Sequence, residues 1–262
     1  MFSRHRLEKL LIIITLCLFT QISSQEQVEQ SSVKKTCLVG LVVVATGKYI
    51  QFVTPLIESA DRFFVPGHKR TYFIFTDHVD EAPKADNIVT VCQKRLGWPQ
   101  DTMMRCWIYV KNKELYNDLD YIFACDADMR FADIVGDEIL GSRVGTQHPG
   151  YVGRRGTYET NPSSRAYIAP HEGKFYFAGG FYGGSASEFI TLNETLYERI
   201  TIDLNNGIMP VWHDESHLNR YFIDFEPTVI LSPSYCYPED WNLNYHPRLL
   251  AIVKNHALVR AD

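Results

Sequence analysis

The sequence is poor in the features that mark the commoner site chemistries. It has six cysteines, and Cys17 lies in the amino-terminal segment. The remaining Cys37, Cys92, Cys106, Cys125 and Cys236 are odd in number and cannot all pair with one another. No C-x-x-C spacing occurs, which removes zinc-ribbon and thioredoxin-type motifs. Cys125 sits in an apolar run and reads as a small buried hydrophobe. Neither G-x-G-x-x-G nor a P-loop sequence is present, so those two phosphate cradles are excluded. A formal charge of -5, a pI near 6.0 and dispersed Lys and Arg leave no basic stripe for nucleic acid. There is no internal repeat and no low-complexity tract. A long apolar run is missing too, since residues 10–19 fall short of the roughly 20 residues a spanning helix needs.

That short run follows Arg4, His5, Arg6 and Lys9 and gives way to polar residues 20–30, a secretory targeting pattern. Residues 1–24 are expected to be a signal peptide cleaved after Ser24, or a short signal anchor if a tilted window over 7–22 spans a thin bilayer. In either case the cationic flank stays cytoplasmic and the rest of the chain faces a lumen or the exterior. Residues 25–36 read as a linker or rudimentary stem. Asn193-Glu194-Thr195 is a glycosylation sequon. The 262-residue chain, 45% hydrophobic and 22% charged, suffices for one α/β domain over residues 37–262.

The most informative stretch is Tyr121-Ile122-Phe123-Ala124-Cys125-Asp126-Ala127-Asp128. Its apolar part predicts a buried strand. Residues two apart on a strand share a side, so Asp126 and Asp128 are expected to aim both carboxylates at one point beyond the strand's end, where open α/β sheets bind ligands. Two hard carboxylates suit Mg²⁺ or Mn²⁺ and leave coordination positions for a diphosphate; the competing reading is a polar turn. Residues 38–45, 72–76, 88–92 and 228–231 predict further strands, with helices through about residue 64 and from Trp98-Pro99-Gln100-Asp101 to about residue 117. This alternation implies a mostly parallel sheet. Arg105, on the second helix, is either a solvated charge or a diphosphate partner.

Residues 145–150 and 158–169 read as loops by their glycine and proline content. Residues 175–185 interleave aromatics with glycines, consistent with close ligand approach to backbone or with a bulged strand. Val211-Trp212-His213-Asp214-Glu215-Ser216-His217-Leu218 is dense in chemistry. His213 and His217 at i, i+4 imitate half a zinc-protease site, but Glu215 follows the first His by two positions. At about 100° per residue it points to the far side. Trp212 beside acids instead resembles a sugar platform. Lys254 and Arg260 in the tail are cations able to close over an anion or to lie solvated.

Together Asp126-Ala127-Asp128, His148-Pro149-Gly150, Phe177-Ala178-Gly179-Gly180-Phe181, the run from Trp212 to Asn219, and Lys254-Asn255-His256 closely resemble glycosyltransferase family 6, the blood-group A and B transferases and α-1,3-galactosyltransferases. The resemblance implies a GT-A fold, an α/β, Rossmann-like, mostly parallel sheet flanked by helices. It also implies a UDP-sugar donor, GalNAc or Gal, and retaining transfer to the 3-hydroxyl of a galactose-terminated glycan in the Golgi lumen or, after signal cleavage, outside the cell. By position, Val44, Ala45 and Tyr49 meet the uridine, with Val44 where the blood-group enzymes carry an aromatic. Trp98 and Arg105 lie at the donor site. Asp126, Ala127 and Asp128 hold the nucleotide and Mn²⁺, with Mg²⁺ a substitute. Ala178, Gly179, Gly180 and Asp214 surround the donor sugar, and Lys254 and Arg260 the diphosphate. His148, Thr157, Trp212, Glu215 and Asp240 hold the acceptor, and Glu215 faces the anomeric carbon as the catalytic group. Small residues at 150, 178 and 180 predict a preference for UDP-GalNAc. The alternative is a luminal or secreted carbohydrate-binding protein without catalysis.

Overall fold

β-branched and leucine residues with alternating sides form the first described strand. Leu38–Val44 forms β1, which sends Val39, Leu41 and Val43 to one face of a sheet and Val42 to the other, as a period of two requires. The computed structural model describes residues 35–260. The expected signal peptide or anchor and nearly all of the linker lie outside the described residues. Among those described, no helix is long and apolar enough to cross a membrane. Cys37–Asp262 is one compact unit.

The central sheet adds β2 (Lys69–Thr76), β3 (Ile88–Cys92), β4 (Tyr121–Cys125), β6 (Arg143–Gln147), β7 (Phe177–Ser185) and β8 (Val229–Leu231) in the order β3-β2-β1-β4-β7-β6-β8. Only β7 runs against its neighbours. Helices cover both faces: α1 (Val53–Phe63) on one, and α2 (Gln100–Met103), α3 (Arg105–Lys111), α4 (Ala186–Asn205) and α5 (His213–Asp224) on the other. This is the expected mostly parallel α/β architecture of a GT-A-like fold. A small sheet of β5 (Met129–Phe131), β10 (Leu249–Ala251) and β9 (Tyr237–Pro238) sits past the end of β4. The short α6 (His256–Arg260) closes the described chain.

On the α1 face, the Phe123 and Phe181 rings stack 5.5 Å apart and Phe64 meets Phe131 at 5.3 Å. Burying each of these side chains contributes about 1.5–3 kcal/mol. The long connection between β6 and β7 has few apolar anchors and is pinned by two buried carboxylates. Glu159 accepts the Asn161 and Val211 N–H groups at 2.7 and 2.8 Å. Asp203 accepts Ser164 Oγ at 2.6 Å and Arg165 N–H at 2.7 Å.

Several expectations change here. Residues 145–147, read as loop, are the end of β6, because pairing to β7 outweighs local glycine content. Gly145 is required there, since a Cβ would lie 2.8 Å from both Phe177 and Phe222. The single helix expected after Trp98 breaks at Met104 into α2 and α3. Residues 177–185 are the bulged strand, and Gly183 permits close strand contact, as its Cβ would sit 2.2 Å from the Ile122 carbonyl. The described cysteines form no disulfide, and burial raises the Cys125 thiol well above its ordinary range, as suits an inert hydrophobe.

The sequon is internal. Asn193 is 0% exposed, accepts the Tyr182 hydroxyl at 3.2 Å and donates to Phe189 O at 2.8 Å. Protein made in a glycosylating secretory cell is expected to carry no glycan at Asn193, read as an unchanged electrophoretic mobility after deglycosidase. Asn193→Ala, which leaves a buried hydroxyl unpaired, is expected to lose about 1–3 kcal/mol in denaturant titration.

Candidate active site

The apolar ladder of β4 ends at Cys125, and Asp126 N–H still donates to Gly180 O at 2.9 Å. The strand's last turn is thereby held against β7. Ala127 turns into the core, while Asp126 and Asp128 both line a cavity of about 230 Å³. Ile252 N–H donates to Asp128 O at 2.9 Å. Lys254, two residues on, returns its ammonium to the Asp128 carboxylate.

Arg105 is buried, not solvated. Its guanidinium donates to Asp126, to Asp214 through Nε at 3.0 Å and again through Nη2, and to Gly179 O at 3.4 Å. Burial opposes this charge, but Asp214 and Asp126 more than offset that and keep its pKa above the ordinary arginine value. One side chain therefore ties the end of β4, the first turn of α5 and the β7 backbone together.

β7 departs from β6 at this point. Opposite Gly145 stands Tyr182, but opposite Thr146 stands Ala178, so Gly179, Gly180 and Phe181 bulge from the β6 ladder. The bulge turns the Gly179 N–H to Glu215 Oε2 at 2.8 Å. Tyr176 Oη donates to Glu215 Oε1, also at 2.8 Å. Asn219, one turn along α5, stitches that helix to β7 by accepting Phe177 N–H and donating to Phe177 O, each at 2.8 Å. Burial pushes Glu215 up to about 7, the two hydrogen bonds lower it, and Asp214 and Asp126 raise it.

Of the residues expected at the donor, Val44, Tyr49, Trp98, Arg105, Asp126, Ala127, Asp128, Lys254 and Arg260 line the cavity. Ala45 lies beneath it, fully buried with its N–H taken by Phe75 O. Asp214, Gly179 and Gly180 adjoin through Arg105 and Asp126, and Ala178 is buried beside them in β7. The tail is folded over the cavity mouth. Arg260 lies 3.5 Å above the Trp98 ring, a cation–π contact, and its carbonyl accepts from Arg95 at 2.8 Å. Thr46, in the turn after β1, and Arg95, in the connection after β3, also line the cavity.

On the other side of Glu215, His148 is half-buried and its pKa falls to about 4, chiefly by desolvation. Its Nδ1 accepts Gly150 N–H at 3.0 Å, so the neutral ring carries its proton on Nε2, as a donor. Thr157 Oγ1 is hydrogen-bonded to Tyr151 at 2.7 Å. Trp212 is 48% exposed, presenting an apolar face. Asp240 is exposed on the turn after β9, while the next residue, Trp241, comes within 3.7 Å of a Cβ built on Gly150. Sequence reading missed Trp241, Tyr176 and Cys236. An exposed aromatic beside a polar turn was the signal for the first, Tyr176 lay unassigned within the aromatic and glycine stretch 175–185, and nothing local marked Cys236. Gly150 lies beside His148 and Trp241 rather than against the donor-side glycines.

The protease decoy dissolves on geometry. His213 has φ +52° and packs on Trp98 at 5.0 Å, whereas His217 is fully buried 3.5 Å from Asp203. Among the described residues no three His, Cys, Asp or Glu side chains converge as a metal site. The donor set at Asp126 and Asp128 is two hard carboxylates. Arg105 engages Oδ1 of the first and Lys254 Oδ2 of the second. The remaining carboxylate oxygens are hard donors of the kind a divalent cation takes.

The family model for Glycosyltransferase family 6 matches residues 19–261. Histo-blood group ABO system transferase 1 of Rattus norvegicus is 37% identical over 247 residues, 88% of this chain and 71% of the relative. Histo-blood group ABO system transferase 2 of the same species is 36% identical, over 88% of this chain and 74% of its own length. Human globoside alpha-1,3-N-acetylgalactosaminyltransferase 1 is 33% identical over 213 residues, 77% of this chain and 61% of that protein.

Arg105→Met strands two carboxylates that share one buried cation. Breaking such a pair is expected to cost about 3–5 kcal/mol in denaturant titration. Adding Asp214→Asn in the same chain should recover part of that loss, and a strictly additive double variant would show that the two side chains are uncoupled.

Proposed function

The chain belongs to glycosyltransferase family 6, and from that premise we propose that it moves GalNAc, or Gal, from a UDP-sugar to the 3-hydroxyl of a galactose-terminated glycan with retention of configuration. The observation that supports this reading most is the joining of two half-sites by Arg105. The cavity with Asp126 and Asp128 accepts a nucleotide diphosphate on one side. Asp214 and Glu215, on the next element Arg105 touches, face the sugar on the other. The targeting pattern of residues 1–24 supports a secretory-pathway location for this activity, in the Golgi lumen or outside the cell.

Mn²⁺, with Mg²⁺ as a substitute, would be held by Asp126 and Asp128 and would supply Lewis-acid neutralisation of the departing diphosphate. The protein's own groups do the rest. Tyr49 and Val44 bound the uridine end of the cavity. Lys254, whose pKa is lowered by desolvation, exchanges Asp128 for phosphate oxygens. Arg260 and Trp98 cover the mouth and exclude water. Asp214 fixes donor-sugar hydroxyls, and His148 offers its Nε2–H to an acceptor oxygen while Trp212 and Trp241 supply apolar faces. Glu215 stabilises positive charge growing at the anomeric carbon as UDP leaves. Retention follows from an adduct on Glu215 or from attack on the face UDP departs. Trapping of a glycosyl-Glu215 peptide by mass spectrometry separates the two.

Donor choice follows from volume at Gly180 and Ala178. A Cβ on Gly180 would come within 3.3 Å of Cys236 Sγ and 3.5 Å of Asp126 Oδ2, so the size of residue 180 bears on the wall that Asp126 shares with the donor sugar, and a glycine there leaves the larger acetamido-bearing sugar least obstructed. Steady-state assays with a galactoside acceptor are expected to give activity that chelator abolishes and Mn²⁺ restores. UDP-GalNAc should be preferred over UDP-Gal by about 1–3 kcal/mol in kcat/KM, and Gly180→Ala should narrow the gap. Full turnover in excess chelator removes the metal reading, and a wild-type preference for UDP-Gal removes the volume argument.

The pH dependence has a defined sign. The useful form of Glu215 is the carboxylate and its pKa is raised to about 7, so kcat/KM is expected to fall about tenfold per unit below that value and to level off above it. Glu215→Gln should lower the rate by orders of magnitude and erase this limb.

A further inference from the structure

Glu215 is the only side chain in the proposed machinery whose two carboxylate oxygens each receive one donor from β7 or the residue preceding it: Gly179 N–H on Oε2 and Tyr176 Oη on Oε1. The backbone donor is fixed by the bulge. The side-chain donor is fixed by a tightly built surround. Tyr176 is 1% exposed. Tyr151, Tyr158 and His148 stand around its ring at 4.7, 5.1 and 5.7 Å. On another side Gly156 lies so close that a Cβ there would fall 2.0 Å from Tyr176 Cδ2. The glycine's backbone thus forms one wall of the ring's slot, and only the hydroxyl leaves it, toward Glu215.

We propose that Tyr176 is a positioning residue for Glu215, its hydroxyl and the Gly179 N–H forming a two-point clamp that sets the plane and direction of the carboxylate. This rests on Glu215 being the group at the anomeric carbon. A glutamate reaching from a helix has three side-chain torsions to lose, and one donor on each oxygen removes rotation about the last of them. The clamp also joins the two substrate halves. The ring that aims Glu215 at the donor sugar is the one against which His148 packs, so seating an acceptor on His148 acts on the wall that holds Glu215. Arg105, Asp214, Asp126 and Cys236 are the other charged or titratable groups around this carboxylate. None of them is shown donating to its oxygens.

The test compares wild type, Tyr176→Phe, Glu215→Gln and the double variant in steady-state transfer from UDP-GalNAc and UDP-Gal to a galactoside. It also includes protein carrying 3-fluorotyrosine at position 176. Loss of a hydrogen bond to a charged group is expected to lower kcat about 10- to 100-fold in Tyr176→Phe, with donor and acceptor KM within a few-fold of wild type. The 3-fluorotyrosine protein, which keeps the hydroxyl, should stay within a few-fold in kcat, and Tyr176→Phe should add nothing in the Glu215→Gln background. If Tyr176→Phe does not fold, 4-fluorophenylalanine at 176, which fills the space without donating, reads the same quantity. An unchanged kcat overturns the proposal, as does a loss confined to acceptor KM or an equal loss in the Glu215→Gln background. Glu215→Gln at the wild-type rate overturns the underlying role of Glu215 itself, whatever Tyr176→Phe does.

Discussion

A single buried guanidinium holds the site together. Arg105 leaves α3 and meets Asp126 at the end of β4, Asp214 in the first turn of α5 and the Gly179 carbonyl in β7. Placing a charge there is costly unless its donors are met in good geometry, and here they are. The consequence is architectural, because none of the three elements can shift without leaving part of the cation unpaired. Donor cavity and Glu215 therefore keep a fixed relation, because Arg105 adds α5 to the strand ends that β4–β7 pairing already holds together.

The second constraint is the bulge in β7. The bulge takes residues 179–181 out of the β6 ladder and leaves the Gly179 N–H for Glu215, while Gly180 O continues the pairing with β4 by accepting Asp126 N–H. Glycine is needed for space: side chains at 179 and 180 would press on Arg105 and on Cys236 with Asp126. The same strand thus serves as core, through Phe181, and as site, through its glycines.

Charge is arranged in opposed pairs around the cavity. Arg105 faces Asp126 and Asp214, and Lys254 faces Asp128. On the proposed reaction, a dianionic diphosphate with a divalent cation would add little net charge, and Lys254 would pass from carboxylate to phosphate without being left unpaired. Arg260 on Trp98 and the Arg95 contact to its carbonyl hold α6 over the mouth, so the tail is already placed to exclude water.

How much of this was legible in the residue order follows from the range of the interactions. The α/β layout, the strand ending in Asp126 and Asp128, and the chemical density of residues 211–218 were readable. Apolar runs and two-residue alternation are local, and the two acids follow directly on one such run. The burial of Arg105 was undecided, because its partners lie 21 and 109 residues away and nothing near it in sequence predicts them. Residues 145–147 read as loop from composition, while the ladder with β7 made them strand. Tyr176 and Trp241 acquired their places only through contacts with Glu215, Gly156 and Gly150. Sequence alone determined which chemical groups this protein carries and the period on which they are strung. Tertiary structure decided which of them share a cation, a hydrogen bond or a wall, because those choices depend on desolvation and packing between segments that meet only after the sheet has formed.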